Sequence, residues 1–391
     1  MTLFARSVDW VGASAGDLLP RRDTTGANTY RTISDAAALR NSVVWACLRI
    51  RADLISSMPL DVYREAGGFT TEVPPSQFLV NPDPGQRGGM AAWLYASQFD
   101  LDRGGNTYGI ITRTDSFGLP QQVELQQAAM VTVMGKGPSI TKYRIAGKSY
   151  EPEQIWHERQ FVVPGVPVGL SPTAAAAMSI NQHLTAQEFV TQWFGGSAIP
   201  KARMKSTTKK VTTKEALDIR NRYETMVNTG GLFVHGNDWE FSTIQSNAAD
   251  TAFFEAMNSS NADICRYYGV PGDIIDVPMQ GSAITYASIT QRNLQLLIMN
   301  LGPAVTRRES ALTEATPKPR FVKLNAAAAV LRMDPTSQAE SLVSQVAGRT
   351  LAPSEARAIL DRAPFTEEQY VEFDRLGFTK AKPEPGKQMA V

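Results

Sequence analysis

The sequence predicts a mixed α+β chain whose helices and strands are segregated in blocks. Two kinds of pattern carry that prediction. Apolar residues recur at three- and four-residue steps in several long stretches, which is the period of a helix buried on one side. Between Asn106 and Val163 the signals are short β-type runs broken by Gly- and Pro-bearing turns. The chain has 391 residues, 43% hydrophobic and 20% charged. That is the usage of a folded globular chain, of about two or three compact units at roughly 150 residues each.

Residues 1–33 show no periodicity and read as an arm, mobile or draped over a neighbour. Asn41 is placed to cap a helix whose stripe is Val43, Cys47, Ile50 and Leu54, and Pro59 stops it. Leu60 and Val62 then alternate with Asp61 and Tyr63 in a strand ending at Gly67-Gly68. A helix around Met90, Trp93, Leu94 and Ser97 ends at Gly104-Gly105, and the runs NTYGIITRT, MVTVM, ITKYRIA and QFVV follow as strands.

Ser171 and Pro172 open the next helix and Gly195-Gly196 close it, giving one helix of about six turns. A small mixed insert follows, with a strand at IPKARMK, a helix opened by a Thr212–Glu215 capping box, and strands at LFVHG and WEFSTI. Helical phase returns from Ala248 to Tyr268. Another long helix begins near Tyr286, with a kink expected at Gly302-Pro303. Two short helices are expected around Ala339–Val346 and Pro353–Leu360, and the tail from 381 to 391 reads as flexible.

Lys plus Arg number 39 against 38 Asp plus Glu, so no global field draws in nucleic acid or an anionic membrane. No window reaches the roughly 18 apolar residues of a membrane span, and the first twenty residues lack the apolar core of a signal peptide, so a cytoplasmic site of synthesis is expected. Cys47 and Cys265 are the only cysteines and read as buried reduced thiols. GKGPS at Gly135–Ser139 lacks phosphate-loop spacing. DLDRGGN at Asp100–Asn106 begins like a calcium loop but has Ile111 where a bidentate Glu is required, so it reads as a helix C-cap leading into a hairpin. His157, His183 and His235 share no ligand spacing. No catalytic residue, metal site or cofactor is assigned.

Two charge features stand out. Lys201, Arg203, Lys205, Lys209, Lys210 and Lys214 form a run without an acid, either a solvated surface or a patch facing phosphate or acid. Conversely, Tyr267–Gln291 contains no Lys, Arg or His, and its only charges are Asp273 and Asp276. Such a Gly- and Pro-broken loop is longer than joining two helices requires.

Four stretches in order resemble the portal proteins of tailed bacteriophages, in the short family of long-tailed phages with the HK97-type capsid. They are NSVVWACLRIRADLISSMPLDVYRE, LDRGGNTYGIITR, VGLSPTAAAAMSINQHLTAQEFVTQWFGGSAIPKARM and ICRYYGVPGDIIDVPMQGSAITYASITQRNLQ. Two departures are a polar NSSN in the 248–268 helix and an Ala-rich start to the Gly-Leu-Ser-Pro helix.

The resemblance implies a portal-type subunit: arm 1–33, α/β wing 34–170, stem helices 171–196 and 247–268, and a small α/β clip at 197–246. Tunnel loop 269–283, a kinked long wing helix with a returning strand at 284–333, and a helical crown at 334–380 complete it. It implies a homo-oligomeric ring, usually of twelve copies, at one capsid vertex of the virion, assembled in the bacterial cytoplasm and without a membrane. Double-stranded DNA would be packaged and ejected through its channel. The large terminase, the major capsid protein and the head-tail adaptor would be its partners, and it would not itself be an enzyme. The alternative is a metal-dependent enzyme acting on nucleic acid.

On that resemblance, the channel loop is Gly272, Asp273, Ile274, Ile275, Asp276, Val277, Pro278, Met279, Gln280 and Gly281, a weakly repulsive and mostly apolar rim to which phosphates do not adhere. The basic run becomes a clip surface for motor or adaptor. The aromatic residues Phe189, Trp193, Phe194, Phe253 and Phe254 serve subunit contact or core.

Overall fold

The computed structural model of the protein describes residues 8–11, 33–136, 139–194, 202–206, 211–229, 239–243, 249–277, 292, 294–326, 335–360 and 362–375. The chain divides into two compact units, Met1–Leu324 and Asn325–Val391.

The arm contributes a strand, β1 (Val8–Val11), paired antiparallel with a strand of its own chain. Helix α1 (Asp35–Ala38) is capped by Ser34, and α2 (Ser42–Ser56) by Asn41, whose Oδ1 accepts from the Val43 and Val44 N–H groups. Strands β2 (Leu60–Ala66) and β3 (Phe69–Glu72) form a hairpin across Gly67-Gly68. After α3 (Gln77–Val80), α4 (Gly89–Gly104) packs on α2.

β4 (Asn106–Thr114), β5 (Pro120–Gln126), β6 (Val131–Lys136), β7 (Ser139–Ile145), β8 (Lys148–Tyr150) and β9 (Ile155–Arg159) follow. They make two antiparallel sheets, ordered β1-β6-β7-β8 and β5-β4-β9. Tyr108, Val131, Val133, Tyr143, Ile145 and Ile155 fill a shared core. The strand expected at Gln160–Val163 lies earlier, at β9. Phe161 takes φ +53°, outside the extended region, and Val162 makes only an isolated bridge to Gly169.

The expected six-turn helix is divided into α5 (Pro172–Ala175), capped by Ser171, and α6 (Ala177–Phe194), with the break at the fully buried Ala176. β10 (Ala202–Ser206) pairs antiparallel with β11 (Trp239–Thr243). Between them α7 (Thr213–Thr229) begins at the Thr212–Glu215 box, whose side chain and backbone groups bond reciprocally. LFVHG falls outside the described residues.

α8 (Ala249–Tyr268) packs against α6 and α2. Ile180, Ile264, Cys265 and Tyr268 join Val43, Val44, Cys47 and Leu48 in a second core. Cys47 and Cys265 are both free and buried, and the neighbouring Cys265, together with burial, pushes the Cys47 thiol far up.

The expected kink takes the form of a π-helical turn, Leu296–Leu301, leading into α9 (Gly302–Glu314). Pro303 has no N–H to offer the carbonyl four residues back and its ring crowds it, and widening the preceding turn relieves both. β12 (Arg320–Leu324) returns to pair with β2.

In the second unit, α10 (Pro335–Ala347) and α11 (Pro353–Ile359) match expectation. α12 (Glu367–Arg375) was not foreseen. Phe365 anchors it, ringed by Tyr370 and Phe373 at centroid distances of 5.6 and 5.0 Å and by the Arg357 guanidinium at 3.9 Å.

Candidate functional site

The long motifs meet in one packed junction, and the loop grows from it. Helix α4 stops because Gly105 takes φ +76° and returns its N–H to Leu101 O at 2.8 Å. A Cβ at Gly105 would overlap the Leu170 carbonyl, and one at Gly169 would overlap that of Gln160. The Gly-Gly-Asn and Gly-Leu-Ser-Pro segments therefore cross backbone to backbone, and only glycine permits that approach.

Asn106, fully buried, bonds across the crossing. Its Oδ1 accepts from Gly169 N–H at 2.7 Å and its Nδ2 donates to Gly104 O and Gly169 O, each at 3.1 Å. The same Oδ1 lies 3.1 Å from His157 Nε2, so His157 carries its proton there and Nδ1 accepts from the Tyr143 hydroxyl at 2.9 Å. Stacked 4.5 Å from Tyr108, this imidazole is neutral, its pKa pushed down to about 3 by desolvation and then by Arg159. His157 is thus a structural group on a strand and His183 sits on a helix, α6.

The next hydrogen bonds bring in the other motifs. Ser171 and Thr173 hydroxyls both donate to Arg103 O, at 3.0 and 2.8 Å. With the Thr173 proton so used, the Tyr268 hydroxyl at 2.9 Å is the donor to Thr173. The Arg103 guanidinium reaches Asp100 at 2.7 Å and Asp35 at 3.5 Å. Burial raises the Asp100 pKa to about 6, against the opposing pull of Arg103. Tyr268, the last residue of α8, is therefore tied through Thr173 to the end of α4 at the point where the loop departs.

From that point Gly269 (φ +63°) turns the chain and Val270 enters the core. Gly272–Ile275 make a single 3₁₀ turn, and Asp276 closes it at φ +57°. The Val277 N–H returns to Gly272 O at 2.8 Å.

The structure changes the expected rim. Gly272 and Val277 are buried, and Ile275 packs on the core beside Val277, because the tight turn folds these apolar groups back under the helices. Within the single chain these three residues are part of the core. Ile274 is half-buried and Asp276 is exposed. Asp273 is paired with Arg292 at 3.5 Å, the cation that follows directly on the cation-free stretch. Pro278, Met279, Gln280 and Gly281 lie outside the described residues.

Of the basic run, Lys205 in β10 and Lys214 in α7 are exposed. Lys205 stands opposite Glu240 in the β10–β11 register, so an acid adjoins the run in space. Arg203 lies on β10 but its side chain is outside the described residues, as are Lys201, Lys209 and Lys210. The side chains of Phe189, Trp193, Phe194, Phe253 and Phe254 are outside them too.

Two buried arginines that periodicity did not reveal tie the kinked helix to α2, α4 and β9. Arg51 meets Asp102 in a two-pronged pair at 3.0 and 3.1 Å and donates to Asn300 O in the π turn at 3.2 Å. Arg308 on α9 meets Glu158 of β9 at 2.8 Å, donates to Ser97 Oγ at 2.5 Å and lies 5.4 Å from the Trp93 ring. The available signal was an arginine on the otherwise apolar buried face of each helix.

Among the described residues, no three His, Cys, Asp or Glu side chains are grouped to hold a metal ion, and no helix is long and apolar enough to cross a membrane. The family model described as "Phage portal protein" matches residues 42–361. The "Probable portal protein" of Streptomyces phage phiC31 is 24% identical over 388 residues, covering 92% of this chain and 83% of that one. The "Portal protein" of Enterobacteria phage HK97 is 23% identical over 293 residues, 72% of this chain and 68% of the relative. Among solved structures, a chain in the neck of the native gene transfer agent particle, with C12 symmetry, superposes at a TM-score of 0.57 with 19% identity. That match covers 85% of this chain and 94% of that one.

Proposed function

The chain belongs to the phage portal protein family, and from that premise we propose that copies of it form a ring, of twelve subunits, around a channel for double-stranded DNA at one capsid vertex. Members of this family are structural, non-enzymatic capsid components, so the nuclease alternative is set aside. The observation that carries the ring reading is the family match over residues 42–361. The motif segments are packed at one point, from which the loop departs and to which the stem helix is tied.

In this reading the duplex passes the loop Gly272–Gly281 without sequence preference. Asp276 is the exposed charge of the described half, and Asp273 is held by Arg292 at the loop's foot. An anionic, cation-free constriction does not release counterions from the duplex and so does not retain it. Asp276→Lys would place a collar of cations there. The expected result is slower packaging in a reconstituted reaction, with a steeper dependence on salt. An unchanged rate at every salt concentration would remove the loop from the channel.

The large terminase during packaging, and the head-tail adaptor afterwards, dock on the insert between the stem helices, drawn by Lys201, Arg203, Lys205, Lys209, Lys210 and Lys214. The wing meets the major capsid protein. Assembly takes place in the host cytoplasm. Lys209→Glu with Lys210→Glu weakens terminase binding in a pull-down on assembled rings. Intact binding together with lost DNA uptake would instead assign these cations to the DNA entrance.

A further inference from the structure

The first unit carries two exposed apolar patches of different chemistry on different helices. On α2 and α4, Trp45 is 45% exposed and meets Phe99 edge-on at 6.0 Å, while Tyr95 stacks on Phe99 at 6.2 Å. Trp45 lies six positions from Arg51, about 120° around the helix from the face that meets Asp102 and Asn300. Trp45 therefore points away from the buried network, while Tyr95 and Phe99 are half-buried beside it and Phe99 also packs on the second core.

The second patch lies on the helix that carries the π turn. Leu296 and Leu301 face inward and are buried, whereas Leu294, Ile298 and Met299 are 55%, 60% and 71% exposed. A helix apolar on both faces is a helix meant to be covered on both. The wider turn between Leu296 and Leu301 brings Ile298 and Met299 out together as a ridge.

We propose that the Leu294–Ile298–Met299 ridge of one copy seats on the Trp45–Phe99–Tyr95 ladder of the next copy in the ring. The proposal rests on the ring reading above and adds the surfaces that close it. A ring of more than two copies closes only where one patch meets a different one. The chain offers such a pair: a flexible thioether and two branched aliphatic groups opposite a rigid aromatic surface. Thioether sulfur packs favourably against ring edges, and Trp, Tyr, Phe and Met are the residues enriched at the centres of subunit contacts. Ladder against ladder, or ridge against ridge, would give a closed pair and no ring.

The test uses the full chain. The mass of wild type, Met299→Asp and Trp45→Ser is followed by light scattering against protein concentration, with circular dichroism as the check on folding. Each substitution is expected to raise the half-assembly concentration by more than about tenfold while leaving the folded spectrum intact. In a second arm, Trp45→Cys with Met299→Cys is oxidised by copper-phenanthroline. Two thiols of neighbouring copies form one disulfide and release two protons as two copper(II) ions each take up one electron. A covalent ladder of oligomers is expected in the double variant and in neither single variant, Cys47 and Cys265 being buried. Wild-type rings with equally good rings from Met299→Asp, and no covalent ladder, overturn this pairing alone. A wild-type chain that stays monomeric at every concentration overturns the ring reading, and this pairing with it.

Discussion

Asn106 is the residue on which most of the junction depends. Its amide spends donors and acceptor on Gly104, Gly169 and His157 inside a site without solvent. Asn106→Ala leaves several buried groups unpaired, each at about 1–3 kcal/mol. A loss on the order of 3 kcal/mol is expected in the urea midpoint, larger than for His157→Ala. Two titrating groups near it act in opposite senses. His157 has its folded pKa depressed from 6.5 to about 3, so the unfolded chain takes up that proton first and stability falls as pH drops from about 6.5 toward 3. Asp100 has its folded pKa raised from 3.8 to about 6, so the folded chain holds that proton first and stability rises as pH drops from about 6 toward 4. Between about pH 4 and 6 the two slopes oppose each other. Asp100→Asn removes one of them, and its melting temperature should fall more steeply than that of wild type from pH 6 to pH 4. Parallel curves would refute the opposition.

At the scale of elements, the helix after the loop is held by Arg51 at its π turn and by Arg308 beyond it. Removing one member of a buried ion pair leaves a charge stranded, at a cost of about 3–5 kcal/mol, whereas replacing both by apolar groups is often close to neutral. Arg308→Met alone should therefore destabilise strongly, and Arg308→Met with Glu158→Leu should recover most of the loss in the denaturant midpoint. A double variant as unstable as the single one would mean that Ser97 and Trp93, not Glu158, set the value of Arg308. The polar NSSN in α8 also gains a reason here: Ser260 donates to Ser179 O at 2.9 Å, tying α8 to α6.

For the whole molecule, twelve chains of 42.7 kDa give a ring of about 510 kDa. Light scattering on concentrated protein should find that mass. Because the insert repeats its cations around the ring while the chain as a whole is balanced, raising salt should screen that repulsion and favour assembly. Dissociation on adding salt would show instead that ion pairs, not apolar patches, close the ring. The same comparison bears on the ridge and ladder, since apolar closure survives salt and ionic closure does not.

By itself the sequence determined the elements whose causes are local. Asn41, Ser171 and the Thr212–Glu215 box cap helices where their side chains reach the first free N–H groups, and Gly105 ends α4 at a positive φ. Ordered motifs added the family, because four segments in register are a property of the chain and not of its folding. What only the tertiary structure decided depends on residues distant along the chain. Arg292 neutralising Asp273, Val277 turning into the core, β1 joining β6 and Gly105 meeting Leu170 are such cases. A loop read as a weakly repulsive, mostly apolar rim thus shows a buried foot and an exposed Asp276. Burial is fixed by what packs above a residue, and composition carries no record of that.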